Sequence, residues 1–407
     1  MCYVTGPRVG KRIMPNSSAR YRVFGRKFID SGAIEQMETA MSLPIALAGA
    51  LMPDAHLGYG LPIGGVLATR SEVIPYGVGV DIGCRMCMSV FDMPVEDLTA
   101  KGELMVQILR ENTRFGFQGF EHPQEHEVLE RPEFREIPFL KPLLPKARAQ
   151  IGSSGGGNHF VEFGLLSVTE KSAGFDLPRG GYVALLSHSG SRGLGASIAD
   201  HYTKLAMEQC ALPKEYRQLA WLSLESEEGQ EYWAAMQLSG AYASANHQQI
   251  HERIARALGE IPLLLVENHH NFAWLENDRS GAEWIVHRKG ATPAGSDMLG
   301  IIPGSMTTPG FVVRGRGNPE SLHSASHGAG RVMSRRRALK DLRAEDLVKA
   351  LSESGVKLIG GGLDEAPQVY KDIQEVMRAQ SELIDILGTF TPKIVRMCGD
   401  RRFAEVD

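Results

Sequence analysis

The chain has 407 residues, of which 43% are hydrophobic and 23% are charged, and its 44 basic and 48 acidic residues give a formal net charge of −4. This is ordinary globular composition, and it argues against a protein coated in basic charge. The longest apolar run, residues 43 to 52, is too short to span a membrane, and five cysteines form no regular disulfide framework. We therefore expect a cytoplasmic protein with free thiols and no membrane association.

The first half of the chain begins with a basic segment and a short amphipathic helix. Ile34, Met37 and Met41 recur at helical spacing and predict a helix over residues 31 to 42, with Asp30 as its cap. Short strands and tight glycine loops are expected over residues 52 to 90. A helical pattern then covers residues 95 to 110, and a polar connection on the surface follows over residues 121 to 145.

The second half alternates longer helices with short strands. Helices are predicted near residues 196 to 211, 229 to 258 and 368 to 387, and strands at YVALLS, PLLLVE, EWIVH, FVVRG and KIVRM. No repeat or long linker separates these elements. The pattern therefore predicts one α+β domain over residues 1 to 407, with mixed β-sheets flanked by helices. Within it, residues 1 to 50 are expected to form the basic segment and short helix, and residues 51 to 407 the core of the domain.

Two segments carry basic residues without any acidic ones. Each could be a solvated charged face or a local footprint for a polyanion, and neither segment alone decides between these interpretations. Residues 1 to 27 contain the first set and residues 331 to 340 the second: Arg8, Lys11, Arg12, Arg20, Arg22, Arg26 and Lys27, then Arg331, Arg335, Arg336, Arg337 and Lys340.

A carboxylate and a thiol lie three residues apart in YGVGVDIGCRM, which otherwise contains mainly glycine and aliphatic residues. A buried carboxylate there must be paired, hydrogen-bonded or bound to a metal. Imidazoles follow glycine loops or strand ends in GSSGGGNHF, LLSHSGSRG and LVENHHNF. One such histidine is more commonly structural, but together these groups supply the donors for one closed metal site or two open ones. The candidates are Asp81, Cys84, His159, His188 and one of His269 or His270.

Cys84 and Cys87 form a C-x-x-C sequence, but the chain has no second cysteine pair. A zinc knuckle is therefore not expected, and Cys87, one residue out of phase on its strand, is expected in the core. A metal pair beside glycine loops and arginines suggests phosphate chemistry. No phosphate-binding G-x-x-x-x-G-K-[ST] loop and no K-x-D-G occur. In HSASHGAGRVMSRRR, His327 is either a phosphorus nucleophile or a cap for a helix beginning near Gly330.

Several long motifs occur in a fixed order: MPDAHLGYGLPIGG, VIPYGVGVDIGCRM, GGGNHFVE, SHSGSRG, HHN, VHRKGAT, IIPGSM, SHGAGRVMSR and YKDI. In this order they resemble the RNA-splicing ligase RtcB family, from about Pro53 to the C-terminus. The resemblance implies a GTP-dependent enzyme that joins RNA ends carrying a 2′,3′-cyclic phosphate or 3′-phosphate to 5′-hydroxyl ends. It also implies two manganese ions as cofactors, although Cys and His donors generally bind zinc more tightly.

The resemblance also assigns roles to individual residues. Asp81, Cys84, His159, His188 and His270 match the family's metal ligands, with Cys84 bridging the ions. His327 matches the histidine that takes up GMP, and Arg331 and Arg335 are expected at the RNA. The remaining positions are expected to contact the nucleotide or its phosphates: Asn158, Phe160, Glu162, Arg192, Asn271, Ser305, Gly328, Ala329, Gly330, Tyr370 and Cys398.

One position departs from the family pattern. The family usually ends in a strand followed by Lys-Gly, whose lysine reaches the guanine, whereas this chain reads RMCGD with Cys398 at that position. A thiol is a weak donor, so we predict a relaxed guanine preference that still rests on Glu162. Two alternatives remain: a metal-dependent phosphoesterase or cyclic phosphodiesterase without a nucleotide step, and a catalytically silent RNA-binding protein. The motifs do not distinguish tRNA splicing from RNA repair, and they identify no helper protein.

Overall fold

A computed structural model describes residues 20–122, 125–172, 174–278 and 280–399. Its strands in chain order are β1 (Arg20–Val23), β2 (Ala48–His56), β3 (Ile63–Thr69), β4 (Glu72–Val73), β5 (Arg85–Phe91), β6 (Phe160–Val168), β7 (Gly180–Ser189), β8 (Leu222–Ser223), β9 (Pro262–His269), β10 (Asn271–Asn277), β11 (Glu283–Lys289), β12 (Ala291–Pro293), β13 (Leu299–Ile302), β14 (Gly310–Gly315), β15 (Ser324–Ser326), β16 (Lys357–Ile359) and β17 (Ile384–Met397).

The helices are interspersed among these strands. In chain order they are α1 (Ser31–Met41), α2 (Pro75–Val78), α3 (Asp97–Ala100), α4 (Gly102–Asn112), α5 (Glu133–Glu136), α6 (Leu144–Gln150), α7 (Arg192–Gln209), α8 (Glu227–Leu258), α9 (Arg335–Asp341), α10 (Ala344–Ser354) and α11 (Ile373–Arg378). The mixture confirms the predicted α+β class. None of the helices in the described ranges is long and apolar enough to cross a membrane.

Two larger sheets organise the fold. The first has the strand order β1-β2-β3-β11-β10, and the second has the order β13-β14-β17-β6-β7-β5-β9, with β16 added beside β17. The Asn268 side chain on β9 connects the two ends of the second sheet. Its Oδ1 accepts from Ile301 N at 2.8 Å, and its Nδ2 donates to Ile301 O at 3.3 Å. The second sheet therefore curves into a near-barrel.

Alternate residues of the second sheet fill the near-barrel interior. Met86, Met88 and Val90 on β5 meet Ala184 and Leu186 on β7 in one buried apolar cluster. Residues of the opposite phase, such as Phe163 on β6, pack outside against α4 and α8. Because side chains on a strand alternate between faces, this phase also decides which polar residues reach the open end of the barrel.

The N-terminal helix matches the prediction. Asp30 caps α1 by accepting from Gly32 N at 2.7 Å, and strand β2 crosses the boundary at residue 50. The described part of the first basic segment is partly neutralised, since Arg22 pairs with Glu320 at 2.5 Å and Lys27 with Glu375 at 3.9 Å. Three of the seven basic residues of this segment lie outside the described residues: Arg8, Lys11 and Arg12.

Two secondary-structure predictions were wrong. The helix expected over residues 368 to 387 is limited to α11, and residues 384 to 387 belong to β17. There Ile384 is buried and pairs with Gly315 of β14, so sheet pairing overrides local helix propensity. The connection at residues 121 to 145 contains short helices, and it buries Phe134 and Leu140 against the cluster around α7 and α8.

Candidate active site

A cavity of about 900 Å³ lies at one end of the near-barrel. Along each strand, the alternate residues that fill the barrel core are followed, at the end of the strand, by residues that line the cavity. Cys84 continues the phase of Met86, and His188 continues the phase of Leu186. In the described chain, every sequence-predicted site residue lines this cavity except Cys398.

The five predicted metal ligands converge at the base of the cavity. The Cys84 Sγ atom is 3.4 Å from His159 Nε2 and 3.1 Å from His188 Nε2. His188 Nε2 is in turn 3.2 Å from His270 Nε2, and Asp81 Oδ2 is 2.9 Å from His159 Nε2. The ligand atoms fall into two groups that share Cys84, namely Asp81–Cys84–His159 and Cys84–His188–His270. This arrangement could hold two metal ions with the thiolate between them.

The protonation of these groups suits cation binding. Burial lowers the pKa of His188 to about 3 and the pKa of His270 well below its usual value, so both imidazoles are neutral near pH 7. His188 Nδ1 lies 3.0 Å from Asn158 O, which fixes its proton there and leaves a lone pair on Nε2. Burial alone would raise the pKa of Asp81, but His159 and Cys84 together lower it to about 2.

The two ring nitrogens of His159 and of His270 have different surroundings. The Nδ1 atoms of His159 and His270 are buried and have no hydrogen-bond partner among the described residues. Their Nε2 atoms, by contrast, point at other lone-pair donors at hydrogen-bond distance. Nitrogen, sulfur and oxygen donors packed this closely are typical of a transition-metal site. The residues present therefore fit divalent metal ions.

Cys87 faces the other side of the sheet. It is 1% exposed, as predicted for a core side chain, and burial raises the pKa of its thiol well above the usual value. It lies near His247 and His251 on α8, whose ring nitrogens contact the Ser187 hydroxyl at 2.7 and 2.8 Å. Cys84 and Cys87 thus occupy two separate environments.

His327 stands beside the metal ligands, with its ring 5.0 Å from that of His270. Its Nδ1 is 2.7 Å from Oδ2 of Asp54, which also accepts from the backbone amide of His327 at 3.1 Å. Nδ1 therefore carries the proton and Nε2 a lone pair. Burial opposes ionisation of Asp54, but the hydrogen bond from His327, with Lys371 nearby, lowers the pKa of Asp54.

The loop after His327 is not a helix start. Helix α9 begins at Arg335 and is capped by Ser334, so the interpretation of His327 as a helix cap was wrong. Gly330 instead lies in the left-handed region at φ 78°, and a Cβ atom there would come within 2.0 Å of Asp54 O. A side chain at Gly330 would push Asp54 away from His327, so glycine is required there.

Glu162 and Phe160 project from β6 into the cavity. Glu162 is 4% exposed, and burial raises its pKa well above the usual value. Arg192, the first residue of α7, has a left-handed φ of 58°, an uncommon conformation for a residue with a side chain. Its guanidinium donates to Gly116 O and, at 3.3 Å, to Ser153 Oγ. Strain of this kind is concentrated at functional sites.

Asn271 connects the metal loop to the His327 side of the cavity. Its Nδ2 donates to Asp81 O at 3.3 Å, and its Oδ1 accepts from Gly290 N at 2.8 Å. Ser305 lies in the turn after β13, where its amide donates to Thr308 Oγ1 at 2.7 Å. The glycine loop that starts with Gly328 and Ala329 lines the cavity beside them.

Two arginines that follow His327, Arg331 and Arg335, are ion-paired. Glu365, which is 3% exposed, accepts from Arg335, from the Tyr370 hydroxyl and from Arg331 at 3.3 Å. Arg335 also pairs with Asp364 at 3.2 Å. The second basic segment is therefore partly neutralised where it meets the cavity, and an RNA contact by Arg331 or Arg335 stays a prediction.

Cys398 lies apart from the other predicted residues. It packs beside Ile359 against the buried cluster beneath α4, and its carbonyl accepts from Gly361 N at 3.2 Å. The neighbouring Met397 lines the cavity, but Cys398 is not among the described residues that do so. A role of Cys398 towards a base stays a prediction.

Two lysines and Asp54 lie at the site but were not singled out from the sequence. Lys289 is 7% exposed, donates to Tyr59 O, and has its pKa lowered by burial to about 7. Lys371 donates to Pro53 O at 3.1 Å and Ala55 O at 2.6 Å, which holds the strand around Asp54. The sequence signal that could have identified Asp54 and Lys289 was a charged residue within the motifs MPDAH and VHRKGAT.

The chain is similar in sequence to several known proteins. A family model described as tRNA-splicing ligase RtcB matches residues 36–138 and 139–397. The chain is similar to the RNA-splicing ligase RtcB of Escherichia coli K12, with 32% identity over 89% of this chain and 93% of the relative. It is also similar to the RNA-splicing ligase RtcB of Mycobacterium bovis (33%, 85% and 96%) and to the tRNA-splicing ligase RtcB of Thermococcus kodakarensis (29%, 91% and 93%).

Proposed function

The chain belongs to the RtcB family of RNA-splicing ligases, and from this membership we propose a GTP-dependent ligase acting through a histidine–GMP intermediate. It joins RNA ends carrying a 3′-phosphate or 2′,3′-cyclic phosphate to 5′-hydroxyl ends. The observation that carries the proposal is the hydrogen bond of 2.7 Å between His327 Nδ1 and buried Asp54, beside a cluster of metal-ligand type. A phosphoesterase would need the cluster but no such histidine.

His327 is suited to attack phosphorus. With its proton on Nδ1, its Nε2 lone pair forms a bond to the α-phosphorus of GTP while the bond to pyrophosphate breaks. The imidazole gains positive charge in this step, and the Asp54 carboxylate stabilises that charge through Nδ1–H. Manganese ions, held by Asp81, Cys84, His159, His188 and His270, would neutralise charge on phosphate oxygens.

The remaining steps regenerate His327. An oxygen of the RNA 3′-phosphate attacks the phosphorus on His327, and the nitrogen–phosphorus bond breaks to restore the neutral imidazole. The 5′-hydroxyl oxygen then attacks the RNA 3′-phosphorus, GMP leaves, and the hydroxyl proton passes to solvent. We expect Arg192 to orient a phosphate, and its contacts with Gly116 O and Ser153 Oγ at the cavity support this role.

The direct test is a joining assay with purified protein, manganese, labelled 3′-phosphate RNA and 5′-hydroxyl RNA, with and without GTP. We expect a joined product only when GTP is present. Opening of a cyclic phosphate without joining, at the same rate with or without GTP, would favour the phosphodiesterase alternative. RNA binding without any change of the RNA ends would favour the silent RNA-binding protein.

Asp54 provides a first specific prediction. In Asp54→Asn the neutral amide no longer stabilises the charge that develops on His327, so labelling of the protein by GTP should slow by about 10²- to 10⁴-fold. Joining of RNA that already carries a 3′-guanylyl cap should be affected less. The exposed carboxylate of Asp92 offers a matched control, and Asp92→Asn should label at the wild-type rate. Wild-type labelling by Asp54→Asn would remove Asp54 from the mechanism.

Glu162 provides a prediction on pH. Guanine presents two donors, N1–H and N2–H, and only an ionised carboxylate can accept from both. Because burial raises the pKa of Glu162, the carboxyl is protonated at low pH, and GTP affinity should rise as the pH rises through this elevated pKa. GTP binding should therefore release a proton, which titration calorimetry in buffers of different ionisation enthalpy measures.

Glu162→Gln is the matching variant, because it keeps the size of the side chain and removes the titration. It should weaken GTP binding by about 1–3 kcal/mol and bind GTP without this proton release. A wild-type protein whose GTP affinity and proton release match those of Glu162→Gln would contradict a Glu162–guanine contact.

A further inference from the structure

Five arginines from three distant parts of the chain meet beside the cavity. They lie at the end of α4, in the following loop, near the end of α8 and on β17: Arg110, Arg114, Arg253, Arg256 and Arg396. We call this set the arginine cluster. Among the described residues, none of its guanidiniums is ion-paired with a carboxylate, and the charged groups that act on Arg253 and Arg396 are other arginines.

Helix capping explains only part of this cluster. Arg396 donates to Leu109 O, Arg253 to Asn112 O at 3.3 Å, and Arg114 to Glu111 O at 2.9 Å, all at the end of α4. A helix C-terminus carries roughly half a negative charge, whereas these three side chains bring three positive charges. Arg110 and Arg256, by contrast, are exposed. Positive charge thus remains for another anion.

Aromatic rings are interleaved with these guanidiniums. The Phe120 ring lies 3.8 Å from the Arg253 guanidinium carbon and 5.0 Å from that of Arg114, and the Phe115 ring lies 5.5 Å from that of Arg396. Phe117, in the same loop, is 70% exposed, an unusual position for a phenylalanine. Phe115 is buried and Phe120 is half-buried, so Phe117 is the exposed ring of this loop. Arginines near an exposed aromatic ring are the combination with which proteins bind single-stranded nucleic acid.

The loop at residues 113–120 connects the arginine cluster to the active site. Gly116 and Phe117 line the cavity, and Gly116 O accepts from Arg192. On β17, Val395 and Met397 line the cavity, while Arg396 between them donates to the end of α4. A strand leaving the cavity past Phe117 would therefore reach positive charge within the same loop.

We propose that the arginine cluster and Phe117 bind the single-stranded arm of a substrate RNA as it leaves the active site. A base stacks on Phe117, and the phosphates that follow lie along the arginines. This inference rests on the proposed function, because it takes the cavity as the place where the RNA end reacts. A single-stranded nucleic acid is favoured over an acidic protein because the exposed Phe117 ring lies in the same loop as part of the arginine cluster.

The test measures RNA binding separately from catalysis, by fluorescence anisotropy of single-stranded 3′-phosphate and 5′-hydroxyl RNAs without GTP. Arg110 and Arg256 are exposed, so Arg110→Ala/Arg256→Ala removes charge without uncapping α4. For every phosphate that an arginine no longer neutralises, the slope of log affinity against log salt should fall by about 0.7. Phe117→Ala should weaken binding about 5- to 100-fold with an unchanged salt slope.

The control variants remove the same kinds of group, two positive charges or one exposed apolar side chain, at positions away from the arginine cluster. Arg70→Ala/Arg378→Ala removes two exposed arginines, and Val348→Ala truncates an apolar residue on α10 that is 64% exposed. Neither should alter binding. The effects should appear with RNAs of about 12 nucleotides and vanish with dinucleotides, because single-strand sites span about 4–16 nucleotides.

Two outcomes would overturn the inference: unchanged affinity and salt slope for both RNA arms in the variants, or an equal loss of affinity in the controls. Labelling of the protein by GTP is followed in parallel. A wild-type protein that binds RNA through the cluster but never takes up GMP would contradict the proposed function and support the cluster. A protein that is labelled by GTP, but whose cluster variants bind RNA normally, would support the proposed function and contradict the role of the arginine cluster.

Discussion

Replacing His327 with alanine should abolish both labelling of the protein by GTP and joining of 3′-phosphate RNA. The variant lacks the lone pair that attacks the α-phosphorus, which the hydrogen bond between Nδ1 and the buried Asp54 carboxylate leaves on Nε2. The same variant should still join RNA that carries a 3′-guanylyl cap, because the cap is the product of the steps that His327 performs. Gel assays of the two RNAs, side by side, measure this difference.

The control for this prediction is His122→Ala, which removes an exposed imidazole and should leave both reactions unchanged. Metal content and the unfolding midpoint of His327→Ala should match those of the wild type. Under those conditions, failure to join the capped RNA, or persistent labelling by GTP, would count against His327 as the nucleophile.

The two neighbouring cysteines should respond oppositely to substitution. Cys84→Ala removes the sulfur shared by the two ligand groups, so bound metal should fall and joining should disappear. Cys87→Ala alters a buried side chain on the opposite face of the sheet and should cost about 1–2 kcal/mol of folding free energy, with joining retained. Metal analysis of the dialysed proteins, together with joining assays, separates the two.

Comparing the amount of bound metal with the joining activity of these variants also tests whether Cys87, His247 and His251 bind a metal ion. Its imidazoles already contact serine hydroxyls, so we expect no metal there and no metal loss in Cys87→Ala. Equal losses of metal and activity in both variants would return the C-x-x-C pair to consideration as one site. Retained metal in Cys84→Ala would exclude Cys84 as a bridging ligand.

The strand phase made much of the site predictable from the sequence. Cys84 and His188 each stand two residues from a barrel-lining residue, and hydrophobic alternation identifies that phase without a structure. The glycine-rich loops around His159 and His327 are likewise visible as local patterns. Site residues that lie on one strand and its adjoining loop can therefore be identified from short sequence motifs.

Contacts between distant segments were not predictable in this way. Asp54 and His327 are 273 residues apart, and only sheet packing brings them to 2.7 Å. The pairing of Arg335 with Glu365 similarly neutralises charge that looked free in the sequence. The arginine cluster is the converse case, because five residues scattered over the chain form a charged surface only in three dimensions.

The histidine–GMP intermediate is tested most directly by incubating the protein with manganese and GTP labelled at the α-phosphate, and then mapping the label. We predict one label, stable to alkali and removed by acid as expected for a phosphoramidate, on the peptide that contains His327. The label should transfer to 3′-phosphate RNA when that RNA is added. Absence of any label from a metal-loaded protein that still joins RNA, or a label on another residue, would contradict the mechanism.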